Sequence, residues 1–250
     1  MLLAANSRGY HMELSDGSSG WVILVNDSQK PIEAFHFKGK CGNAGTATVH
    51  DALDSPYESI SHRPTDEAMQ ESVILPGVRF FSDQNLSPQP SGCTWAGDID
   101  GVIYADGSYE GNENVVHALQ ARRDGILSAA RFWVEATEGE AAGKFTPAVL
   151  AGEAQRLSDE DRKKMSNPGC REQPITCAYW NGREQVDINM VGQMNADRQR
   201  GDTPYSHIAQ FARKWREKAE ADSALKALEI SFPLPPELAP QVLPAPQLPN

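Results

Sequence analysis

Long apolar runs are missing from this chain. No stretch approaches the ~20 residues that a membrane-spanning helix requires, which excludes a helical membrane span. The four cysteines form no C-x-x-C or C-x-x-C-H, so thioredoxin-like, zinc-ribbon and haem-attachment readings lose their support. The six histidines, His11, His36, His50, His62, His117 and His207, make no H-x-x-x-H or H-E-x-x-H pair. Gly39-Lys40-Cys41-Gly42 lacks the spacing of a phosphate-binding G-x-x-x-x-G-K-[ST] loop. Gly17-Ser18-Ser19-Gly20 is not a G-x-S-x-G elbow, and it precedes a strand instead of following one. Positive charge is scarce in the first part of the chain. Residues 1–110 hold six Lys/Arg against fifteen Asp/Glu, a balance of −9 out of a net −11. Such a surface repels phosphate backbones, so nucleic acid is not an expected partner. The opening Met1-Leu2-Leu3-Ala4-Ala5-Asn6 has neither the basic start nor the apolar core of a secretory signal.

What is present is a change of period near Gly111. Before it, apolar residues come in strand-like bursts such as Trp21-Val22-Ile23-Leu24-Val25 and Gly101-Val102-Ile103-Tyr104-Ala105. After it they recur every three or four positions. This predicts an α+β chain, strands first and helices second. The expected organisation is a disordered or partly ordered N-terminus over residues 1–19, a β-sandwich domain over 20–110, a helical region over 111–232 and a proline-rich tail over 233–250.

In the β part, residues 20–26 and 31–38 read as two strands around the turn formers Asn26 to Pro31, a run of hairpin-loop length. The first is apolar at every position from Trp21 to Val25, as a central strand would be. Residues 45–53 read as a third strand. Ser72 to Phe81 resumes as strand broken by Pro76-Gly77, and Asp98–Ala105 closes on the turn Asp106-Gly107. Several short strands separated by turns predict an antiparallel sandwich of immunoglobulin-like architecture. The family hallmarks are missing: no Trp lies between Cys41 and Cys93, and Ser91 stands where a tyrosine corner would need Tyr.

In the α part, Asn112 or Asn114 caps a helix running to about Ala136, with Val116, Leu119, Ile126, Ala130 and Trp133 as its apolar stripe. Gly125 within it predicts a close helix–sheet contact, and Arg122-Arg123 read as a solvated face. Thr146-Pro147 is a cap-and-proline start. Ser158 opens a second short helix that stops at Asn167-Pro168-Gly169, and Asn181-Gly182 marks a turn. Thr203-Pro204 starts the best helix, whose stripe Ile208, Phe211, Trp215, Ala219, Leu225 and Leu228 spans about five turns. Seven prolines in the last 18 residues predict an extended disordered tail with P-x-x-P segments.

Two groups of residues are candidates for special chemistry. Pairing the cysteines within each half gives Cys41–Cys93 and Cys170–Cys177, contributing about 4.2 and 2.5 kcal/mol in the chain-entropy model. An even cysteine count points to an extracytoplasmic protein, four buried thiols to a cytoplasmic one. In the segment Asp98 to Glu110, strand alternation puts Asp98 and Asp100 on one face about 6.6 Å apart, with Asp106 in the turn. Hard oxygen ligands of this kind suit Ca²⁺, and paired carboxylates also suit glycoside hydrolysis. Against both stands the simpler reading of a hairpin turn flanked by solvated acids. The sequence therefore points to a non-enzymatic extracytoplasmic protein whose acidic β part binds or scaffolds a protein or glycan partner. A hydrolase acting on a glycan or peptide through the carboxylates near Asp100 is the alternative.

Overall fold

The computed structural model describes residues 9–14, 22–41, 44–54, 73–81, 96–138, 146–201 and 204–238. The chain is α+β: two antiparallel sheets precede five α-helices. The strands are β1 (Tyr10–Leu14), β2 (Val22–Asn26), β3 (Ile32–Cys41), β4 (Ala44–Asp51), β5 (Arg79–Phe81), β6 (Ala96–Tyr104) and β7 (Tyr109–Gly111). The helices are α1 (Glu113–Glu138), α2 (Pro147–Met165), α3 (Pro174–Arg200), α4 (Pro204–Ala221) and α5 (Ser223–Ser231). Two compact units result, Met1–Leu119 and Gln120–Asn250, the division falling within α1.

In the first unit the strand orders are β1-β2-β5 and β4-β3-β6-β7. β3 alternates, burying Phe35 and Phe37 while Lys38 and Lys40 face outward, as a half-buried antiparallel strand should. The two sheets share one apolar cluster. Tyr10, Met12, Leu24 and Phe80 of the first meet Phe35, Phe37, Ile99 and Val102 of the second. His50 lies among the rings of this cluster, stacked on Phe35 at 5.3 Å and tilted against Phe80 at 4.3 Å. Aromatic contacts of this kind add to the ~1.5–3 kcal/mol that each buried large apolar side chain contributes.

β1 falls within residues 1–19, read from the sequence as disordered or partly ordered; it buries Tyr10 and Met12, an alternation too short to read. One expectation for this part needs correction. The strands flanking the Asn26–Pro31 turn are not hairpin partners. β2 pairs with β1 and β5, and β3 with β4 and β6. The buried side chain of Asn26 diverts the chain, its Nδ2 donating to the carbonyls of Lys30 (2.9 Å) and Ile74 (2.8 Å). At the other end of the unit, Gly111 has φ +103°, and the Asn112 N–H donates to the Asp100 carbonyl at 2.7 Å. Asn112 then caps α1, its Oδ1 accepting from the Asn114 N–H.

The second unit is helical, and its core contains Trp133, Ala130, Val186, Met190, Ile208, Trp215, Leu225 and Leu228. Thr146 caps α2 as read, its Oγ accepting from the Val149 N–H. α2 runs through Ser158 without a break, so Ser158 is a buried interior residue and not a second helix start. The stripe expected on one helix is shared by two. α4 ends at Ala221, and Asp222 caps α5, accepting from the Leu225 N–H at 2.7 Å. Asn181-Gly182 is not a turn but the middle of α3, and Gly125 meets that helix instead of a sheet. A Cβ on Gly182 would overlap the Arg122 carbonyl, and one on Gly125 would overlap the Tyr179 carbonyl. Arg122 and Arg123 are buried, which corrects the solvated-face reading. Residues 233–238 also depart from the tail expectation. Leu238 is only 4% exposed and packs with Ala121 and Tyr179, Leu234 beside them. Residues 239–250 lie outside the described residues.

Gly182 and Gly192 lie on the same helix in opposite situations, the second with open space where a Cβ would stand. Gly182→Ala should destabilise by roughly 1–3 kcal/mol through overpacking. Gly192→Ala should stabilise by up to about 1 kcal/mol through helix propensity. Urea denaturation of the two variants checks this, and equal midpoints would contradict the crossing.

Candidate functional site

The acidic segment does not assemble. Asp98 is exposed, and the Ile99 N–H donates to its Oδ1 at 2.9 Å. Asp100 stands at a bulge: the register slips between His36 and Phe37, leaving Asp100 as the extra residue, and a bulge re-aims its side chain. Its Oδ1 lies 2.5 Å from Nδ1 of His36. Asp106 belongs to the β6–β7 turn, where it accepts from Ser108 N–H (3.0 Å) and Oγ and pairs with Lys30 at 2.7 Å. The Lys30 ammonium, then the Ser108 donors, hold its carboxyl down to about 2. Glu110 accepts from the Tyr104 hydroxyl at 3.0 Å and from the Gly9 N–H at 3.3 Å. Each acid thus has its own local partners, and Asp100 and Glu110 are part-buried and bonded. Among the described residues no group of three or more His, Cys, Asp or Glu is placed to hold a metal ion.

Of the cysteines, Cys170 and Cys177 stand at disulfide distance with Cα atoms 5.3 Å apart, within the usual window. They tie the 3-10 turn Pro168–Arg171 to the first turns of α3. Cys93 and the side chain of Cys41 lie outside the described residues.

The richer chemistry lies in the helical unit, on residues the sequence reading did not single out. Arg183 of α3 donates through Nε to Asp161 of α2 (3.2 Å) and through a terminal nitrogen to Ser128 of α1 (2.9 Å). One turn along, the Trp133 indole N–H donates to Asp187 Oδ1 at 2.6 Å, while Asp187 Oδ2 has no partner. Burial pushes the Asp187 carboxyl up to about 7, against the pull of Arg183 and the Trp133 hydrogen bond. Lys164 sits over the Trp180 ring, 3.5 Å from its centroid, a cation–π contact at the edge of this network.

Beside it opens a cavity of about 590 Å³, a size typical of small-molecule sites. One stripe of α1 supplies Asp124, Leu127, Ser128, Arg131, Phe132 and Glu135, spaced as a single helix face. Tyr179, Leu225, Leu234 and Leu238 complete its apolar lining. Asp124 is half-buried, and its Oδ2 accepts from Gln120 Nε2 at 2.9 Å. Burial, reinforced by nearby Glu229, raises its carboxyl to about 6. The Asp222 carboxylate that caps α5 also pairs with buried Arg123 at 3.0 Å, fastening one wall of the cavity to the other.

Neither a protein-family model, nor a curated protein, nor a solved structure matches this chain. The residues themselves carry the functional argument.

The sign of the Asp187 effect is testable. Its folded-state value of about 7 lies above the ordinary 3.8, so its contribution is fully present below about pH 4 and is lost as pH rises to 7. Asp187→Asn keeps an acceptor for Trp133 and cannot ionise. Its stability relative to the native chain should rise between pH 4 and 7, by an amount on the order of a few kcal/mol, and level off above. Thermal melts across that range check this. A difference independent of pH would show that Asp187 is not held neutral.

Proposed function

We propose that this is a non-catalytic binding protein whose ligand site is the cavity of the helical unit, with the acidic β part as its scaffold. The cavity itself carries the reading. It has the size of a small-molecule site, walls that are mainly apolar, and a few polar groups converging on it, the combination that binding pockets share. The two sheets joined by one apolar cluster support an immunoglobulin-like sandwich as the scaffold. The proline-rich stretch after Leu238 supports an extended tail. An extracytoplasmic location draws support from the Cys170–Cys177 pair, because disulfides persist in oxidising compartments. Thiol labelling of the unreduced protein tests that point, and modification of both cysteines would contradict it.

A second reading, hydrolysis of a glycan or peptide, draws on one observation. The Asp100 carboxylate orients the His36 imidazole, as a carboxylate does for a general base. Such a base still needs a nucleophile or an activated water.

Two experiments separate the two readings. The neutral fluorophore N-phenyl-1-naphthylamine should bind saturably, one per chain, and Leu127→Trp, which pushes a larger ring in from the cavity wall, should weaken that binding while leaving the circular dichroism unchanged. Absence of saturable binding would contradict the cavity reading. Turnover of a glycan or peptide panel that vanished in Asp100→Asn would establish the second.

A further inference from the structure

We infer that the cavity of the helical unit takes an organic ammonium ion with an apolar body, its charge held by Asp124. This rests on the cavity being the ligand site proposed above and adds the chemistry of the ligand. Leu127, Phe132, Leu225 and Leu238 offer surface only to an apolar group, so the body of the ligand must be hydrocarbon or aromatic. The charge follows from the polar groups. Asp124 uses Oδ2 to accept from Gln120, and among the described residues no donor reaches its Oδ1.

The balance of charge around the cavity has one sign. Four lining carboxylates, Asp124, Glu135, Glu220 and Glu229, face two cations, Arg131 and Lys226. Arg131 is engaged by Glu220 at 3.1 Å, and Lys226 is exposed. An anionic ligand would enter an unneutralised negative field. A neutral donor such as an alcohol could give Asp124 Oδ1 one hydrogen bond but would leave the carboxylate's charge uncompensated in a half-buried site. An ammonium supplies both the charge and the N–H groups, and charge-assisted hydrogen bonds are the stronger kind. The raised carboxyl of Asp124 agrees. Burial and Glu229 disfavour its charge, the Gln120 hydrogen bond with Arg123 and Arg131 offsets them only in part, and a bound cation would restore it. Binding should therefore weaken as pH falls through about 6.

Calorimetric titration of the full chain at pH 7.5 with octylammonium, 1-octanol and octanoate tests this. Octylammonium should bind one per chain, at least tenfold tighter than octanol, with octanoate weaker again, and it should lose several-fold in affinity at pH 5. Asp124→Asn should cost octylammonium at least tenfold and leave octanol within twofold. Glu229→Gln, on an exposed face of α5, should lower octylammonium affinity two- to fivefold and serves where the first variant does not fold. Octanol or octanoate binding as tightly as octylammonium, or an Asp124→Asn variant with undiminished octylammonium affinity, would overturn the ammonium assignment and leave the cavity a ligand site. Binding by none of the three would overturn both.

Discussion

The helical unit depends on one contact, the backbone-to-backbone crossing of α1 and α3 at Gly125 and Gly182. Any side chain at either position would collide with the carbonyl of the other helix. With both bare, the helices approach closely, and polar side chains bridge them on either side. Arg122 reaches Asn181 at 2.8 Å, Arg183 reaches Ser128, and the Trp133 indole reaches Asp187. The face of α1 that meets α3 is thereby fixed, and so is the neighbouring stripe that lines the cavity. Packing at this point sets the geometry of the site, which starts at the adjacent Asp124 and runs along the same helix to Glu135.

The same unit buries two ion pairs. Arg123 with Asp222 and Arg183 with Asp161 are ion pairs whose four side chains are at most 5% exposed. Desolvation offsets much of the attraction in such pairs, and apolar residues of equal volume would often stabilise as much. Their value is positional. The Arg123–Asp222 pair sets where α5 begins relative to α1, and these two helices bound the cavity. Losing one partner would strand the other, at a cost of roughly 3–5 kcal/mol.

Much of the fold was legible in the chain. The alternation of β3, the break at Pro76-Gly77, the Asp106-Gly107 turn and the caps at Asn112 and Thr146 are local signals, and local signals survive folding. What was not legible depends on partners distant in sequence. Asn26 reads as an ordinary turn residue, and only its bond to the Ile74 carbonyl shows why β2 and β3 part to different sheets. Gly182 after Asn181 reads as a turn, because nothing local reveals the helix crossing over it. Asp222 reads as one polar position in a long stripe, although a cap between two apolar patches could have been seen there. The cavity was least legible. Its acids, Asp124 and Glu229, lie 105 positions apart, and Asp124 follows two arginines that suggest a wet helix face. The acidic segment was conspicuous for the opposite reason, since turns concentrate Asp whether or not they bind anything.

The central claim is that the helical unit holds an apolar cavity with a carboxylate at Asp124 awaiting a cation. A crystal structure of the native chain with octylammonium tests it most directly. The account predicts the ammonium nitrogen within hydrogen-bond distance, about 3 Å, of Asp124 Oδ1, with the alkyl chain along Leu127, Phe132 and Leu225. An alkyl chain bound with its ammonium turned out to solvent, or a ligand seated elsewhere on the chain, would contradict it.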